Sequence, residues 1–235
     1  MNESALTLAA ISSGYNESIV IRNVSLEIKS GEILALVGKN GMGKTTLLKS
    51  IMGFLPKRSG SISIFGKDVT RLSAHQVSRT KIAYAPQERA LFHELSIRDN
   101  LRLGLSRDSL FDEHFYEIES IFPFLKSRMA QRAGTLSGGE QKMLLVARAL
   151  MVKPDLILID EITEGLQPSV IDRVATALTH QRVTHGTAIL FVEQNVPFAV
   201  SVADRYAVLK LGEIIDVGAC SNSDAQENIM RHLSV

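Results

Sequence analysis

The feature that most restricts the fold is a glycine-rich segment between an apolar run at 33–37 and a helix-like run at 47–52. The segment consists of Gly38, Lys39, Asn40, Gly41, Met42, Gly43, Lys44, Thr45 and Thr46. The three parts predict a strand, a loop and a helix in that order. In such a loop the backbone amides form a concave surface at a helix N-terminus, where their dipoles favour an anion. The segment therefore predicts a phosphate-binding site.

Two side chains of this segment have the chemistry that a nucleotide requires. Lys44 is expected to reach the β- and γ-phosphates, and the hydroxyl of Thr45 is expected to bind Mg²⁺. A glycine turn that only caps a buried helix is the alternative interpretation. The four fixed positions of the pattern match by chance in about one chain per hundred of this length, which favours phosphate binding.

Length, charge and cysteine content restrict the function further. A chain of 235 residues suits one large α/β domain, with or without an inserted subdomain. Its 26 basic and 25 acidic residues give no overall attraction to nucleic acid. The single cysteine, Cys220, excludes an internal disulfide. The sequence shows no signal peptide and no apolar stretch of ~20 residues, so the protein is expected to be soluble and to reach a membrane through another chain.

The sequence before and just after the phosphate loop indicates antiparallel strands. Short strands are predicted at 18–21 and 24–28, with Tyr15 in the loop before them. An aromatic ring there can stack on a purine or cover the edge of the sheet, and both interpretations stay open. A turn is predicted at 56–60, followed by an alternating strand at 61–65.

A charged, helix-prone stretch from Glu88 to Ala133 predicts a helical insertion. It leads into the segment Leu136, Ser137, Gly138, Gly139 and Glu140. Ser137 and Glu140 match a capping box, which predicts the start of a helix that runs through residues 142–151. The two glycines also expose the helix N-terminus, so a second anion-binding site is the functional alternative.

Acidic and amide side chains follow the later apolar strands. The run at 156–159 predicts a parallel strand buried on both faces, and it ends in Asp160 and Glu161. Acids are costly to bury without a role, so Asp160 is predicted to serve Mg²⁺ and Glu161 to polarise an attacking water. Surface acids that merely end a strand are the alternative.

Two glutamines also follow predicted strands. Gln87 follows the strand at 82–85, and Gln194 follows the strand at 187–192. Ser223 is expected to cap a C-terminal helix.

With these motifs in this order, the sequence resembles the ATP-binding subunit of ABC transporters along nearly its whole length. The motifs are the phosphate loop, Gln87, the signature segment at 136–140 and the Asp160–Glu161 pair. The resemblance implies an α/β fold, with a P-loop NTPase core, an antiparallel β subdomain and a helical subdomain inserted at about 88–151. It also implies a single domain over 1–235 that binds ATP and Mg²⁺, with the metal held by Thr45, Gln87 and Asp160.

The same resemblance implies roles for the remaining site residues. Tyr15 would stack on adenine, Glu161 would act as the general base, and Gln87 would contact Mg²⁺ and the attacking water. The signature residues Leu136 to Glu140 would contact ATP held by a partner subunit, so an isolated monomer would be a poor enzyme. Most members have a histidine where this chain has Gln194, which donates a hydrogen bond but cannot become cationic. The loop at 164–167 also lacks the family's terminal aspartate, so that acid is not available here for communication across the dimer.

The segments 193–195 and 164–168 narrow the resemblance to the ATPases of branched-chain (hydrophobic) amino acid importers, with those of urea or short-chain amide importers as the alternative. This implies a sister ATPase in a heterodimer or a homodimer, two transmembrane permease subunits, an extracellular or periplasmic solute-binding protein, and a peripheral position on the cytoplasmic face of the cell membrane. A soluble ABC ATPase of DNA repair or translation would need tandem domains, a coiled coil or a basic face, none of which is evident. A GTPase switch would need a guanine-reading Asn-Lys-x-Asp segment, which the sequence lacks.

Overall fold

The computed structural model describes residues 3–87 and 91–234, which form two sheets and flanking helices. The strands are β1 (Ser4–Tyr15), β2 (Ser18–Lys29), β3 (Ile33–Val37), β4 (Lys57–Ile64), β5 (Lys67–Asp68), β6 (Ile82–Ala85), β7 (Leu156–Asp160), β8 (Ala188–Glu193), β9 (Arg205–Lys210) and β10 (Glu213–Ala219). The helices are α1 (Lys44–Ile51), α2 (Ala74–Val77), α3 (Ile97–Arg102), α4 (Phe111–Ile121), α5 (Phe124–Ser127), α6 (Gly138–Leu150), α7 (Pro168–His185), α8 (Val196–Val202) and α9 (Ala225–Ser234).

The larger sheet has the order β10-β9-β3-β8-β7-β6 within the described residues. Its strands from β9 to β6 pair in parallel, and only β10 pairs antiparallel, with β9. The carboxyl ends of β3, β6, β7 and β8 therefore lie along one edge of this sheet, which is where open α/β sheets bind ligands. The α/β fold and the buried strand before the phosphate loop, both predicted from the sequence, are confirmed.

Strand β3 shows why an unbroken apolar run forms the centre of the sheet. Ile33, Ala35 and Val37 pack into a core shared with helices from both sides of the signature segment. Leu34 and Leu36 point the other way, into a second core between the two sheets. Because alternate side chains leave opposite faces of a strand, burial on both faces requires apolar residues at every position.

The smaller sheet is antiparallel, as predicted, with the order β2-β1-β4-β5, but its strands are longer than the sequence indicated. The two short strands predicted at 18–21 and 24–28 are one strand, β2, in which Asn23 adopts φ 49° at an irregularity of the pairing. Tyr15 is the last residue of β1, so its placement in a loop was wrong.

The predicted turn at 56–60 was also wrong, because most of this segment belongs to a strand. Strand β4 begins at Lys57, and Gly60 sits inside it with φ 83°. A Cβ on Gly60 would lie 2.4 Å from the carbonyl oxygens of Ala9 and Ala10, where the pairing of β1 and β4 shifts register. This glycine serves a β-bulge, and a bulge uses the same residue type as a turn.

Helices α3 to α6 lie between β6 and β7, in the region where the sequence predicts a helical insertion. Residue 88, the first of that predicted insertion, lies outside the described residues. Helix α6 begins at Gly138, because the Ser137 cap is already formed there. Helix α9 begins at Ala225, so Asp224 and not Ser223 precedes it. Among residues 3–87 and 91–234, no helix has both the length and the apolar character that a bilayer crossing needs.

Phe122 anchors the helices that follow β6, and its replacement is expected to destabilise the fold. The side chain is fully buried in the core that α4 and α6 share. Phe122→Ala should lower the free energy of unfolding by about 3–5 kcal/mol, through lost burial and the cavity left behind. Urea denaturation followed by circular dichroism measures this, with Tyr116→Ala as the control because Tyr116 is 78% exposed. Equal stability of the two variants would contradict the prediction.

Candidate nucleotide site

A cavity of about 320 Å³ opens at the carboxyl edge of the larger sheet, at the N-terminus of α1. The residues that line this cavity are far apart in the chain. Its lining consists of Val20, Asn40, Gly41, Gly43, Lys44, Thr45, Thr46, Gln87 and Glu161. The structure thus brings the predicted phosphate loop together with a glutamine after β6 and an acid after β7.

The glycines of the loop are required by close packing. Gly43 has φ 104°, and a Cβ there would lie 2.8 Å from Cδ1 of Ile21. A Cβ on Gly38 would lie 2.6 Å from the carbonyl oxygen of Leu209. Gly43 is the N-cap residue of α1. Because glycine has no side chain, it makes no capping hydrogen bond to the first amides of this helix. Such a helix end favours binding of a phosphate.

Lys44 is buried, with 4% of its surface exposed. Its Nζ donates to the carbonyl oxygens of Gly38 at 2.8 Å and Lys39 at 3.1 Å. The same Nζ pairs with Oε1 of Glu161 at 2.8 Å. The loop therefore curls around its own lysine, and a buried cation is stabilised by a full set of partners.

Asp160 is not among the residues that line the cavity, but it bonds to Thr45, which is. The Thr45 hydroxyl donates to Oδ1 of Asp160 at 3.0 Å, and the Tyr84 hydroxyl makes a longer contact to Oδ2 at 3.4 Å. Burial raises the pKa of Asp160, the bond from Thr45 opposes the rise, and the nearby Glu161 adds to it. Hydroxyl and carboxylate oxygens are the donors that Mg²⁺ prefers, so these residues fit a Mg²⁺ site.

Glu161 is held by three elements. Its backbone adopts φ 45°, and its N–H donates to the carbonyl oxygen of Val192 at 3.0 Å. While Oε1 pairs with Lys44, Oε2 accepts a hydrogen bond from Nε2 of Gln87 at 2.7 Å. A non-glycine residue in this conformation is strained, and such strain is found at functional sites. Both carboxylate oxygens therefore have partners in this structure.

Gln194 reaches the phosphate loop from the end of β8. Its Nε2 donates to Oδ1 of Asn40. The residue before it, Glu193, is buried and accepts bonds from the Thr163 amide at 2.9 Å and the Thr163 hydroxyl at 2.8 Å. Burial raises the pKa of Glu193. The Glu193–Thr163 bonds fix the backbone from which Gln194 projects.

Tyr15 and the signature segment do not line this cavity among the described residues. Tyr15 is 41% exposed and lines a separate, mainly apolar cavity of about 720 Å³ with Lys49, Phe54 and Tyr84. Ser137 caps α6, where its Oγ accepts from the Glu140 amide at 3.3 Å and its own amide donates to Oε2 of Glu140 at 2.9 Å. The predicted capping box is therefore confirmed. Gly138 lines a neighbouring cavity of about 170 Å³, which shares Gln87 with the cavity of the phosphate loop.

Comparison with known proteins decides the family. The family model described as ABC transporter matches residues 21–164, well over half of the chain. The chain belongs to the ABC transporter family. This ABC ATPase is an ATP-hydrolysing enzyme.

Individual relatives extend the similarity over nearly the whole chain. The ABC ATPase is 39% identical to the high-affinity branched-chain amino acid transport ATP-binding protein BraG of Pseudomonas aeruginosa, over 91% of this chain and 93% of that protein. It is 34% identical to the lipopolysaccharide export system ATP-binding protein LptB of Escherichia coli K12, over 97% and 96%. A solved dimeric, post-hydrolysis structure of the ATP-binding cassette MJ0796 with ADP and Pi has the same fold, with a TM-score of 0.82, 23% identity, and coverage of 92% and 99%.

Sequence reasoning did not assign Lys142 and Glu164 of the ABC ATPase to the site. Lys142 in α6 donates to backbone carbonyls near the cavity, and Oε2 of Glu164 accepts a bond from Nε2 of Gln87 at 3.0 Å. A third acid three positions after Glu161 was the available signal for Glu164. A lysine in an amphipathic helix normally indicates only a solvated surface, so no signal marked Lys142.

Gln194 is predicted to contribute to ATP turnover through a hydrogen bond. Gln194→Ala should lower kcat about tenfold, since a hydrogen bond to a charged group contributes about 1.5 kcal/mol or more. Gln194→His should keep a donor and make the rate vary with pH near 6.5, where imidazole titrates. Steady-state ATPase assays between pH 6 and 8 measure both effects. A wild-type kcat in Gln194→Ala would contradict the assignment.

Proposed function

We propose that this ABC ATPase energises the uptake of branched-chain or other hydrophobic amino acids, from a peripheral position on the cytoplasmic face of the cell membrane. The observation that carries the proposal is the 39% identity to BraG across almost the full length of both chains. The Glu193–Gln194–Asn195 segment, which places Gln194 against the phosphate loop, adds to that support.

In this proposal the site hydrolyses ATP with residues from four strand ends. Residues 38–46 bind the phosphates, and Lys44 exchanges Glu161 for phosphate oxygens. Thr45, Asp160 and Gln87 would hold Mg²⁺, which would supply positive charge to the phosphates. Gln87 orients a water, and Glu161 takes a proton from it as its oxygen bonds the γ-phosphorus. The bond from that phosphorus to the bridging oxygen breaks, ADP and phosphate leave, and Glu161 returns the proton to solvent. Gln194 contacts the γ-phosphate by its amide, and Tyr15 stacks on adenine from the end of β1.

Leu136 to Glu140 serve a nucleotide on a partner subunit. Support comes from their position, because Ser137 and Gly138 are exposed and these residues stand apart from the cavity that the phosphate loop forms. The dimeric structure of MJ0796 supports pairing of two such chains. We propose a heterodimer with a sister ATPase, bound to two transmembrane permease subunits and supplied by a solute-binding protein.

Two other transport functions, one with a different cargo and one in the opposite direction, have support of their own. The segment Glu164–Pro168 resembles that of urea and short-chain amide importers. The 34% identity to LptB over 97% of the chain favours export as a second candidate function. Transport direction and cargo depend on the membrane subunits, so fold and family alone do not fix them.

The test is transport by the ATPase purified with its sister ATPase and permease subunits and placed in proteoliposomes, with the solute-binding protein on the opposite side of the membrane. ATP supplied on the ATPase side should drive accumulation of labelled leucine, competed by isoleucine and valine. Complexes carrying Glu161→Gln provide the matched control and should not accumulate leucine. Uptake of urea or acetamide in place of leucine would reassign the cargo, and ATP-driven movement in the opposite direction would replace import by export.

A further inference from the structure

Lys142 connects the signature helix to the nucleotide site of its own chain. It lies in α6, five positions after the capping residue Ser137, and its side chain is half-buried. Its Nζ donates to the carbonyl oxygen of Gln87 at 3.3 Å and to that of Glu161 at 3.2 Å. One cation from a helix thus holds the backbone of two loops that follow different strands.

These two carbonyls belong to the residues that face the attacking water in the proposed function. The side chains of Gln87 and Glu161 already bond each other at 2.7 Å. Glu161 has a strained backbone with φ 45°, and such a conformation persists only when its surroundings hold it. A charge-assisted bond from an ammonium group is stronger than a neutral one and has three donors to share.

Helix α6 carries this bridge as a rigid element. Ser137 and Lys142 are separated by about 7.5 Å along the helix axis, at 1.5 Å per residue. The first turn is fixed by the capping box and by an ion pair between Arg128 and Glu140 at 2.7 Å. A shift of the signature end must therefore move the Lys142 end, and with it the two carbonyls.

We propose that Lys142 is a positioning residue: it makes the alignment of Gln87 and Glu161 depend on where the signature helix of the same chain lies. This inference rests on the proposed function in one respect, namely that Glu161 and Gln87 act on the attacking water. Lys142 itself does not line the cavity that the phosphate loop forms. It contributes to kcat by fixing the geometry of the Gln87 and Glu161 side chains.

The experiment compares Lys142→Met and Lys142→Arg with the wild-type protein. Lys142→Met keeps the length and loses the charge, so kcat should fall about 10- to 100-fold, as expected for misplaced catalytic groups. The KM for ATP should stay within about twofold, because the phosphate loop is untouched. Lys142→Arg should restore most of the rate. Lys153→Met is the control, since Lys153 pairs with an exposed carboxylate of Glu113.

A double-mutant cycle with Gln87→Ala separates positioning from general stability. Because Lys142 is proposed to act through both Gln87 and Glu161, Lys142→Met should cost less in the Gln87→Ala background than in the wild-type protein, and the loss that remains there reports on Glu161. Wild-type kcat in Lys142→Met would overturn the inference. Additive losses in the cycle would also overturn the inference. So would losses of rate in both Lys142→Met and Lys142→Arg that follow a lowered Tm, because they would mean a structural role. These outcomes are distinct from failure of the proposed function, which is tested by Glu161→Gln and by leucine uptake.

Discussion

Glu161→Gln is expected to lower ATP turnover about 10³-fold while ATP binding persists. A general base contributes about 10²- to 10⁴-fold, and glutamine cannot accept the proton. The amide still fits the space between Lys44 and Gln87, where the carboxylate now makes bonds of 2.8 and 2.7 Å. The variant should therefore retain ATP and accumulate as an ATP-bound dimer.

The measurement is single-turnover hydrolysis together with light scattering in the presence of Mg²⁺ and ATP. Glu164→Gln provides a matched control, because Glu164 is a second carboxylate bonded to the same Gln87 amide but is exposed. We expect it to lose less than about tenfold in rate, as for one surface hydrogen bond. Undiminished turnover in Glu161→Gln would show that another group activates the water.

Lys44→Ala is expected to abolish measurable ATP binding. The ammonium group lies inside the phosphate loop, bonded to two loop carbonyls, so it is already placed where phosphates would bind. Loss of two charge-assisted bonds of about 1.5–3 kcal/mol each should weaken binding at least about 100-fold. The truncation also leaves Glu161 without its buried cation.

Calorimetric titration with ATP measures this loss. Lys67→Ala is the control, because Lys67 is an exposed lysine of β5 in the antiparallel sheet, remote in sequence from the loop. It should bind ATP with wild-type affinity. Tight ATP binding by Lys44→Ala would contradict the phosphate-loop assignment.

The parts of the site that could be predicted are those with a local cause. The apolar run at 33–37 must be a doubly buried strand, and the glycines at 38–43 must turn sharply against it. Asp160 was expected at a strand end for the same reason, since β7 is an equally apolar run. In each case the prediction follows from residues that are neighbours in the sequence.

The parts that could not be predicted depend on contacts between distant segments. The bond from Lys142 to the Glu161 carbonyl joins a helix to a loop 19 residues away, and the bond from Gln194 to Asn40 spans 154 residues. Lys142 carries no sequence pattern that marks it, and although Asn40, Glu161 and Gln194 were assigned to the site, no pattern indicated these particular bonds. The long strands β1 and β2 were missed because bulges at Ala10 and Asn23 look like turns when only the sequence is available.

We propose that the phosphate loop and the signature segment of one chain serve two different nucleotide sites. The decisive measurement is the specific ATPase rate of this chain mixed with its sister ATPase subunit across a dilution series, with light scattering to report the mass at each concentration. We predict that the rate per chain falls toward zero once the protein is a single chain, and recovers when the chains pair again. A rate per chain that stays constant in the dissociated protein would contradict the claim.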